Sequence, residues 1–458
     1  MNTKHSIAAE RFLENRERGQ WHNETLWQVR AKRDGQVMGI PEWEQLRDLA
    51  SKIKMHTITQ LDRYLTQFAE RAEANGAIIH WAKDANEHNE IACGILQKHG
   101  VRKMVKSKSM LTEECNTNEY LIDKGIEVVE SDLGERVLQL MQETPSHIVM
   151  PAIHLKRGEI GKIFQETMHT EKDNNDPAYL TRAARENLRS EFLSADAAMT
   201  GANFGVAATG DVVICTNEGN AEMGTSFANV HIVSMGIEKL VPDYKSLSVF
   251  TRLLARSATG QPITTYTTHY RKPEPGYEMH IVLVDNGRSD ILKSEDYIQI
   301  LKCIRCGACM NTCPVYRRSG GYSYSYFIPG PIGINLGMLK SPQKHAGNLS
   351  ACSLCYSCND VCPVKIDLAG QIYNWRQNLD SLGKADSMKK LVSKVMWFLF
   401  RHPSLYNAAL KVAPVVNKMP RFLIYSNLND WGKGRELPAF AEKSFTQMWK
   451  QGKVKKYE

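Results

Sequence analysis

The feature that most constrains the fold of this chain is a pair of identical cysteine runs in its C-terminal third. The first run has the pattern C-x2-C-x2-C-x3-C-P and consists of Cys303, Cys306, Cys309 and Cys313. The second run has the same pattern and consists of Cys352, Cys355, Cys358 and Cys362. Gaps of two residues let one tight loop direct three thiolates at a single centre. The proline that follows fixes φ and removes a donor, so it redirects the chain after the fourth cysteine.

This spacing is typical of bacterial ferredoxins that bind two [4Fe–4S] clusters, in which the fourth cysteine of each run ligates the other cluster. We therefore predict two cubane clusters with crossed ligation. The expected ligands of cluster I are Cys303, Cys306, Cys309 and Cys362. The expected ligands of cluster II are Cys352, Cys355, Cys358 and Cys313.

Structural zinc and disulfide bonds are the competing interpretations. Zinc also favours C-x2-C pairs, but four ligands per ion would leave the additional x2 gaps and the Cys-Pro endings unexplained. Disulfides need an oxidising compartment, whereas the N-terminal sequence M-N-T-K-H-S-I-A-A-E-R lacks the apolar core of a secretory signal. We therefore expect a reducing cytoplasm. The three cysteines outside the runs are expected to pack in the core; they are Cys93, Cys115 and Cys215.

Length and charge restrict the classes of function. The 458 residues suffice for two or three domains with a sizeable core. The net charge of +8 is modest and its lysines and arginines are spread along the chain. No nucleic-acid-binding motif accompanies this charge, so nucleic acid is not an expected partner. The charge favours acidic partners and allows peripheral association with a membrane surface, while no segment has the length of a membrane span.

The hydrophobic pattern divides the chain into four segments. Residues 1–74 have helical periodicity and predict a helical N-terminal region. Residues 75–293 alternate strands and helices with short glycine-containing turns, which predicts an α/β domain with a largely parallel sheet covered on both faces. Residues 294–375 contain the cysteine runs and predict a ferredoxin-like domain with two clusters. Residues 376–458 again have a helical pattern and predict a C-terminal tail.

Within the α/β segment, the predicted strands lie at 77–81, 103–105, 126–130, 147–150, 230–233 and 280–284. Residues 200–220 predict two further strands with glycine-led turns, interpreted as a hairpin that enters the sheet. The chain contains neither G-x-G-x-x-G nor G-x-x-x-x-G-K-[ST], so no nucleotide-cofactor motif is present. A self-contained dinucleotide-dependent dehydrogenase is therefore disfavoured.

A polar segment after the second predicted strand is a candidate anion site. Lys106, Ser107, Lys108 and Ser109 precede helical sequence, where backbone N–H groups, hydroxyls and an ammonium favour a bound anion. The alternative interpretation is that the lysines are solvated and that Ser109 or Thr112 caps the helix.

Five further residues, in three places along the chain, are candidates for substrate chemistry. Asn217, Glu218 and Asn220 form a polar turn after a strand, where α/β sheets place ligands, although a hairpin turn held by its Asn side chains is the alternative. His154, which is expected to end a strand, is the candidate general base because imidazole titrates near neutral pH. Arg288 is the candidate carboxylate clamp, and a turn-fixing salt bridge is its alternative.

Five short motifs of the α/β segment resemble the lactate-utilisation domain. They are K-S-K-S-M-L-T-E-E at 106–114, E-S-D-L-G-E at 130–135, P-S-H-I-V-M-P-A-I-H at 145–154, T-N-E-G-N at 216–220 and D-N-G-R at 285–288. Together with the two-cluster module and the helical tail, nearly the whole chain resembles the lactate-utilisation iron–sulfur protein B family. The cysteine positions show no departure from that pattern, so the resemblance assigns electron transfer to all eight.

The resemblance implies an iron–sulfur subunit of a three-protein complex that oxidises L-lactate to pyruvate and allows growth on lactate. The implied partners are a cysteine-rich subunit of the heterodisulfide-reductase type and a small protein carrying the same α/β domain. The implied fold of that domain belongs to the sugar-isomerase and CoA-transferase group. Iron–sulfur clusters supply no hydride acceptor, so we expect an electron-transfer role. The alternative is that the α/β domain is itself the catalytic 2-hydroxy-acid dehydrogenase unit and feeds its own clusters.

Overall fold

A six-stranded, fully parallel sheet forms the centre of the α/β domain, with the strand order β1-β10-β7-β4-β2-β3. The structure is a computed structural model that describes residues 4–379, 381–383, 387–425 and 438–453. Its strands are β1 (Ile78–Ala82), β2 (Lys103–Lys106), β3 (Glu127–Glu130), β4 (Ala197–Gly201), β5 (Phe204–Val206), β6 (Asp211–Thr216), β7 (Val230–Gly236), β8 (Leu240–Val241), β9 (Tyr266–Tyr270) and β10 (Glu278–Val284).

The helices fall into two compact units, residues 1–382 and residues 383–458. Those of the first unit are α1 (Lys4–Glu14), α2 (Arg16–Met38), α3 (Trp43–Thr59), α4 (Leu61–Ala74), α5 (Ala85–Lys98), α6 (Met110–Glu114), α7 (Thr117–Asp123), α8 (Leu133–Met141), α9 (Arg157–Met168), α10 (Pro177–Ser194), α11 (Asn220–Phe227), α12 (Tyr244–Thr259), α13 (Arg288–Ile291), α14 (Ala308–Thr312), α15 (Pro314–Ser319), α16 (Gly330–Lys340), α17 (Pro342–His345), α18 (Ser357–Val361) and α19 (Leu368–Gln377). Those of the second unit are α20 (Ser387–Arg401), α21 (Pro403–Val412), α22 (Arg421–Ile424) and α23 (Phe445–Lys450).

The parallel sheet is covered on both faces, as its sequence predicts. Strands β7 and β10 are buried along almost their whole length, because a parallel strand packs helices against both of its faces and therefore has a continuous apolar sequence. Helices α5, α6 and α7 pack their apolar side chains on one face. Helix α4 packs on the other face together with residues of β6.

The predicted hairpin forms, but its predicted place in the parallel sheet is wrong. Strands β5 and β6 pair antiparallel and belong to a second sheet with the order β8-β5-β6-β9. Strand β4, which precedes the hairpin, already pairs with β2 on one side and β7 on the other. Both hydrogen-bonding edges of β4 are therefore filled, and the hairpin has to build a separate sheet.

The predicted strand at 147–150 is also wrong, because these residues form an irregular loop. The backbone N–H groups of Val149 and Met150 donate to Nδ1 of His147, at 3.0 and 3.1 Å. The Nε2 atom of the same imidazole lies 3.0 Å from the side-chain oxygen of Asn311. A buried histidine thus satisfies the loop donors that a neighbouring strand would otherwise pair, and it ties the loop to α14.

The N-terminal helices join the α/β domain to the cysteine module. Helix α2 packs against α12 of the α/β domain and against α14 and α15 of the cysteine module. Helix α3 packs against α12 and against the 3-10 helix Ile298–Lys302. One apolar core runs through all three regions, so the first three predicted segments form a single packed unit.

The second unit consists of short helices with many exposed apolar side chains. Those on α20 include Leu391, Val395, Trp397, Phe398 and Phe400. No helix within the described part of the chain is long and apolar enough to cross a membrane.

Candidate iron–sulfur centre and adjoining cavity

The two cysteine runs adopt the same backbone conformation. In the first cysteine loop (residues 303–309), Arg305 and Gly307 have φ values of 59° and 75°. In the second cysteine loop (residues 352–358), Leu354 and Tyr356 occupy the equivalent positions with φ values of 54° and 60°. Left-handed conformations are unfavourable for residues other than glycine. The loops therefore hold Arg305, Leu354 and Tyr356 in a conformation that these residues would not favour by themselves. Each loop leads into a short helix, α14 or α18, and the two helices pack together.

Backbone N–H groups point at the thiols in two symmetric pairs. Within the loops, the N–H groups of Arg305 and Leu354 donate to the sulfurs of Cys303 and Cys352, at 3.4 and 3.3 Å. The fourth cysteines accept in the same way from Tyr316 and Ile366, with N···S distances of 3.5 Å to Cys313 and 3.3 Å to Cys362. Such donors favour the thiolate form, which is the form that binds iron.

The eight thiols form two groups, and each group takes its fourth member from the other run. A small apolar cavity is lined by Cys303, Cys306, Cys309 and Cys362. In the other group, burial raises the pKa of Cys313 to about 11, and the nearby thiols of Cys352 and Cys355 add to the rise. The structure therefore places Cys362 beside the first loop and Cys313 beside the second.

The spacing of the thiols fits a cubane better than a zinc ion. A zinc ion, with Zn–S bonds of about 2.3 Å, holds its sulfur ligands about 3.8 Å apart. Among the residues that the structure describes, the sets of three or more His, Cys, Asp or Glu ligand atoms within 4.8 Å of one another contain no cysteine. The donor set, its wider spacing and the N–H···S pairs together match two [4Fe–4S] sites.

The two groups differ in their access to solvent. Cys355 of the second loop is exposed, and Cys352 is partly exposed. In the first group only Cys303 is partly exposed, while its three other members are buried. The site built around the second loop is thus the one nearer the surface.

Buried arginines hold the chain that follows the second loop. Arg47 of α3 donates from Nε to the carbonyl of Cys362, at 2.9 Å, and from Nη2 to that of Asn359, at 3.2 Å. Arg33 of α2 reaches the carbonyl of Val361, at 3.4 Å. These guanidinium groups fix the loop and bring positive charge close to the thiolates.

A cavity of about 380 Å³ lies between the parallel sheet and the first cysteine loop. Its lining comes from the residues at the carboxyl ends of β2, β3, β4, β6, β7 and β10, from α12, from the loop 148–150, and from Arg305 and Cys306. The order of connections reverses between β2 and β4, and α/β sheets bind ligands at such a reversal. There Gly201 lies so close to Ser109 that a Cβ atom would stand 2.7 Å from its Oγ, so only glycine fits.

Seven residues proposed from the sequence line this one cavity; they are Ser107, Lys108, Ser109, Asn217, Glu218, Asn220 and Arg288. Within it, Ser109 also caps α6, because its Oγ accepts from the backbone N–H of Thr112 at 3.3 Å. Lys108 donates to the carbonyl of Val149 at 2.8 Å and lies 3.5 Å from Asp132. The segment 217–220 connects β6 to α11, so it is not a hairpin turn.

Lys106 does not take part in the cavity, which corrects the predicted anion site. Its ammonium is fully buried, 2.8 Å from a carboxylate oxygen of Glu130 and 3.4 Å from one of Glu113. Burial lowers the pKa of Lys106, but these two carboxylates and Glu135 outweigh that effect and raise it overall. The charge of Lys106 is thus compensated inside the protein and is not available to a ligand.

Arg288 does clamp carboxylates, but they belong to the protein. It lies 2.9 Å from Glu114 and 2.5 Å from Glu238. Burial raises the pKa of Glu238, whereas Arg288 and further cations lower it to a net value of about 2. This buried triad, Glu114–Arg288–Glu238, forms one wall of the cavity.

His154 lies outside the cavity, in the irregular segment that replaces the predicted strand. Its Nδ1 is 2.6 Å from Oγ of Ser146, and its Nε2 is 3.2 Å from Glu143. Burial lowers its pKa, although Glu143 acts in the opposite direction. The geometry connects this imidazole to the loop 146–154 and not to the other candidate residues.

Two cations of the cavity escaped prediction from the sequence, Lys239 after β7 and Arg305 within the first cysteine loop. The Nη1 atom of Arg305 is buried without a hydrogen-bond partner among the described residues. Arg305 could have been predicted from its position, because an arginine between two closely spaced cluster cysteines must lie close to the cluster.

Comparison with known proteins gives three family matches. Residues 65–290 match the family described as "LUD domain", residues 299–366 match "4Fe-4S dicluster domain", and residues 379–454 match "Lactate utilisation protein B, C-terminal". The dicluster match together with the cysteine runs identifies the cofactors as two [4Fe–4S] clusters.

Similar proteins align along almost the whole chain. The lactate utilization protein B of Oceanobacillus iheyensis is 40% identical over 92% of this chain and 91% of its own length. That of Geobacillus thermodenitrificans is 42% identical over 84% of this chain and 82% of its own. The "Uncharacterized electron transport protein YkgF" of Escherichia coli K12 is 39% identical over 92% and 91%. A crystal structure of a DUF162 family protein from Deinococcus radiodurans covers 49% of this chain and 98% of its own, at 13% identity and a TM-score of 0.28.

Proposed function

We propose, from the premise that this chain belongs to the lactate utilization protein B family, that it is the electron-transfer subunit of a complex that oxidises L-lactate to pyruvate and allows growth on lactate. One observation supports this most strongly. The eight cysteines form two adjoining groups, one beside an internal cavity and one that reaches the surface at Cys355. Such a pair suits a relay between a buried site and a docked partner.

We assign cluster I to Cys303, Cys306, Cys309 and Cys362, and cluster II to Cys313, Cys352, Cys355 and Cys358. The grouping of the thiols supports this crossed ligation. When bound, the clusters supply one-electron transfer. The chain contributes backbone N–H donors to sulfur, an apolar surrounding for cluster I and the nearby charges of Arg33 and Arg47. Hydrogen bonds, burial and charge of this kind set the reduction potential.

The proposed partners are a cysteine-rich subunit of the heterodisulfide-reductase type and a small protein with the same α/β domain. The Escherichia coli relative is named an electron transport protein, which supports transfer between proteins. We place the complex in the cytoplasm, because eight of the eleven cysteines are proposed to bind iron as thiolates and the cytoplasm keeps thiols reduced. The net charge of +8 is compatible with peripheral association with an acidic membrane surface.

A second candidate function is that the α/β domain is itself the catalytic unit for a 2-hydroxy acid. The observation that favours it is the cavity at the carboxyl ends of the parallel strands, which extends to Cys306. A ligand in this cavity would lie directly beside cluster I. In that case the substrate would bind in this chain and not only in a partner.

Adding L-lactate to the purified protein under anaerobic conditions separates the two functions. The chain with both clusters oxidised is tested alone and together with the two proposed partners, and the visible absorption of the clusters is followed. Bleaching that requires the partners supports the relay function. Bleaching of the chain alone would favour the second function, and no bleaching in either mixture would contradict both.

A further inference from the structure

We propose that the cavity between the parallel strands and the first cysteine loop binds a small monocarboxylate, with Arg305 and Lys239 as its counter-ions. The inference names the residues that would hold a substrate or product beside cluster I. It rests on the proposed function only for the identity of the ligand, L-lactate or pyruvate. It concerns binding and does not depend on which subunit begins the oxidation.

One guanidinium nitrogen of Arg305, a residue that lines the cavity, has no hydrogen-bond partner in the described ranges of the chain. The nearby carboxylates of Glu114 and Glu238 accept hydrogen bonds from Arg288. The Nη1 atom of Arg305 is left buried without a partner within the described part of the chain. A buried N–H donor without an acceptor is costly, and a carboxylate satisfies a guanidinium with two parallel hydrogen bonds.

Positive side chains outnumber carboxylates around Arg305. Three cations surround this end of the cavity, Arg288, Lys239 and Arg305, whereas the protein supplies two carboxylates, Glu114 and Glu238. All five groups interact, because Arg288, Lys239 and Arg305 each lower the pKa of Glu238 and Arg288 and Arg305 lower that of Glu114. The side chains that line this end therefore carry one surplus positive charge, on which the thiolates of cluster I and a ligand carboxylate would both act.

The remaining acidic residues of the cavity do not offset that positive charge. Asp132 is paired with Lys108 at 3.5 Å, on the side of β2 and β3. Burial, with a contribution from Asp132, raises the pKa of Glu218, which favours its neutral form. The surplus cation therefore lies at the end of the cavity near the cysteine loop.

The size and lining of the cavity suit a small hydroxy or keto acid. Its volume of about 380 Å³ lies in the lower part of the range of roughly 300–1,000 Å³ found for ligand sites. Ser107 and Asn203 offer hydrogen bonds to a hydroxyl or keto oxygen, while Ile148, Leu254 and Ala258 provide an apolar wall. Cys306 lines the same cavity, so the bound ligand would lie next to cluster I.

The repeated loop geometry provides a matched substitution. Leu354 in the second loop occupies the same backbone position as Arg305, with φ values of 54° and 59°. Arg305→Leu therefore installs a residue that this loop conformation already accommodates, and cluster assembly is expected to survive. Arg317→Leu is the control, because Arg317 lies 4.3 Å above the ring of Trp27 and interacts with Cys313 but does not line the cavity.

The test uses the full chain with both clusters assembled, purified without oxygen. Isothermal titration with L-lactate, pyruvate and the neutral analogue lactamide measures binding, and iron content verifies cluster assembly. We expect saturable binding of at least one acid and much weaker binding of lactamide. Arg305→Leu should lose at least about tenfold in affinity, since it removes a charge-assisted hydrogen bond. Lys239→Met is expected to weaken binding in the same direction, and Arg317→Leu to leave it unchanged.

Electron paramagnetic resonance of the reduced clusters adds a readout that a purely structural role would not change. The acid should alter the signal of one cluster in the wild-type chain but not in Arg305→Leu. Absence of saturable binding, equal affinity of the Arg305→Leu variant, or equal binding of lactamide would each overturn the inference.

These outcomes are separable from those of the proposed function. If lactate bleaches the clusters in the presence of the partners but neither lactate nor pyruvate binds this chain alone, the carboxylate site is wrong and the electron-transfer function stands. If the chain binds carboxylates but lactate never reduces the clusters, the site stands and the function in lactate oxidation is wrong.

Discussion

A charged side chain that is buried in the α/β domain needs an opposite charge beside it. Strand β2 carries two lysines with opposite surroundings. Lys106 is fully buried against Glu130 and Glu113, whereas Lys103 is partly exposed and pairs with Glu191 at 2.7 Å and with Glu127 at 3.3 Å. We therefore expect the ion pairs of Lys106 and Lys103 to contribute very different amounts to the free energy of unfolding, although both lysines belong to one strand.

Replacing each lysine by methionine measures this difference. Lys106→Met leaves buried carboxylates without their cation, so we expect a loss of about 3–5 kcal/mol in the free energy of unfolding. Lys103→Met breaks pairs near the surface and should cost less than about 1 kcal/mol. Urea unfolding followed by circular dichroism gives both values, and equal losses would show that the carboxylates around Lys106 do not depend on it.

His231 makes the α/β domain sensitive to acid. Burial within β7 lowers its pKa from 6.5 to about 3, and its Nε2 lies 2.8 Å from Oγ1 of Thr200. The folded protein keeps the imidazole neutral, whereas the unfolded chain takes up a proton below pH 6.5. Stability due to this residue is therefore present above pH 6.5 and is lost as the pH falls from 6.5 towards 3.

His231→Gln removes this titration while retaining hydrogen-bonding groups. Between pH 7 and pH 5 the wild type should lose about 2 kcal/mol more than the variant. The measurement compares the difference in unfolding free energy at the two pH values within each protein. An identical difference in both would mean that the folded protein accommodates the charged imidazole.

Most of the candidate site residues, but not their burial, could be predicted from the sequence. The cysteines were identifiable because cluster chemistry fixes their spacing along the chain. Ser107, Asn217 and Arg288 were identifiable as polar residues at strand ends, and the fold brings them into one cavity. Lys106 follows the same pattern, but its partner Glu130 lies 24 residues further along the chain. The burial of Lys106 could therefore not be predicted from the residues next to it.

At the scale of elements, the two cysteine loops are copies of one backbone that exchange their fourth ligands in our proposal. Double variants test this. In Cys306→Ser/Cys362→Ser both changes fall on cluster I, so about four iron atoms per chain should remain. In Cys306→Ser/Cys313→Ser the changes fall on different clusters, and little iron should remain.

Iron analysis and electron paramagnetic resonance of the two double variants decide the ligation. If each run closed on its own four cysteines, the results would reverse, with iron retained in Cys306→Ser/Cys313→Ser. The single variants serve as controls, since each should lose one cluster under either arrangement.

The strands show where local patterns suffice and where they do not. Apolar runs such as those of β7 and β10 predicted buried parallel strands, because both faces of such strands pack. The apolar residues at 147–150 resembled a strand, but the buried imidazole of His147 takes up the N–H groups of Val149 and Met150. The hairpin could be predicted from its glycine-containing turns. The sheet to which it belongs could not, because that depends on whether an edge of β4 is unpaired in the folded domain.

At the scale of the whole molecule, cluster II is proposed to lie nearer the solvent than cluster I, since Cys355 is exposed and Cys306, Cys309 and Cys362 are buried. Solvent-borne oxidants should therefore reach cluster II first. During stepwise treatment with ferricyanide, we expect its signal to disappear before that of cluster I. A Cys313→Ser variant, which keeps only cluster I, should lose its iron more slowly than the wild type loses its first cluster; equal rates would contradict the proposed difference in access.

The contacts of Arg33 and Arg47 also have a consequence for synthesis of the chain. Their carbonyl partners lie 312 to 328 residues later in the sequence. At translation rates of about 5–20 residues per second, the ribosome needs roughly 15 to 60 seconds to add that length. Helices α2 and α3 emerge first and must wait for the segment that they hold. The full set of eight thiols therefore exists only after residue 362 of the 458 has been added, so the iron–sulfur assembly machinery can complete both clusters only late in synthesis.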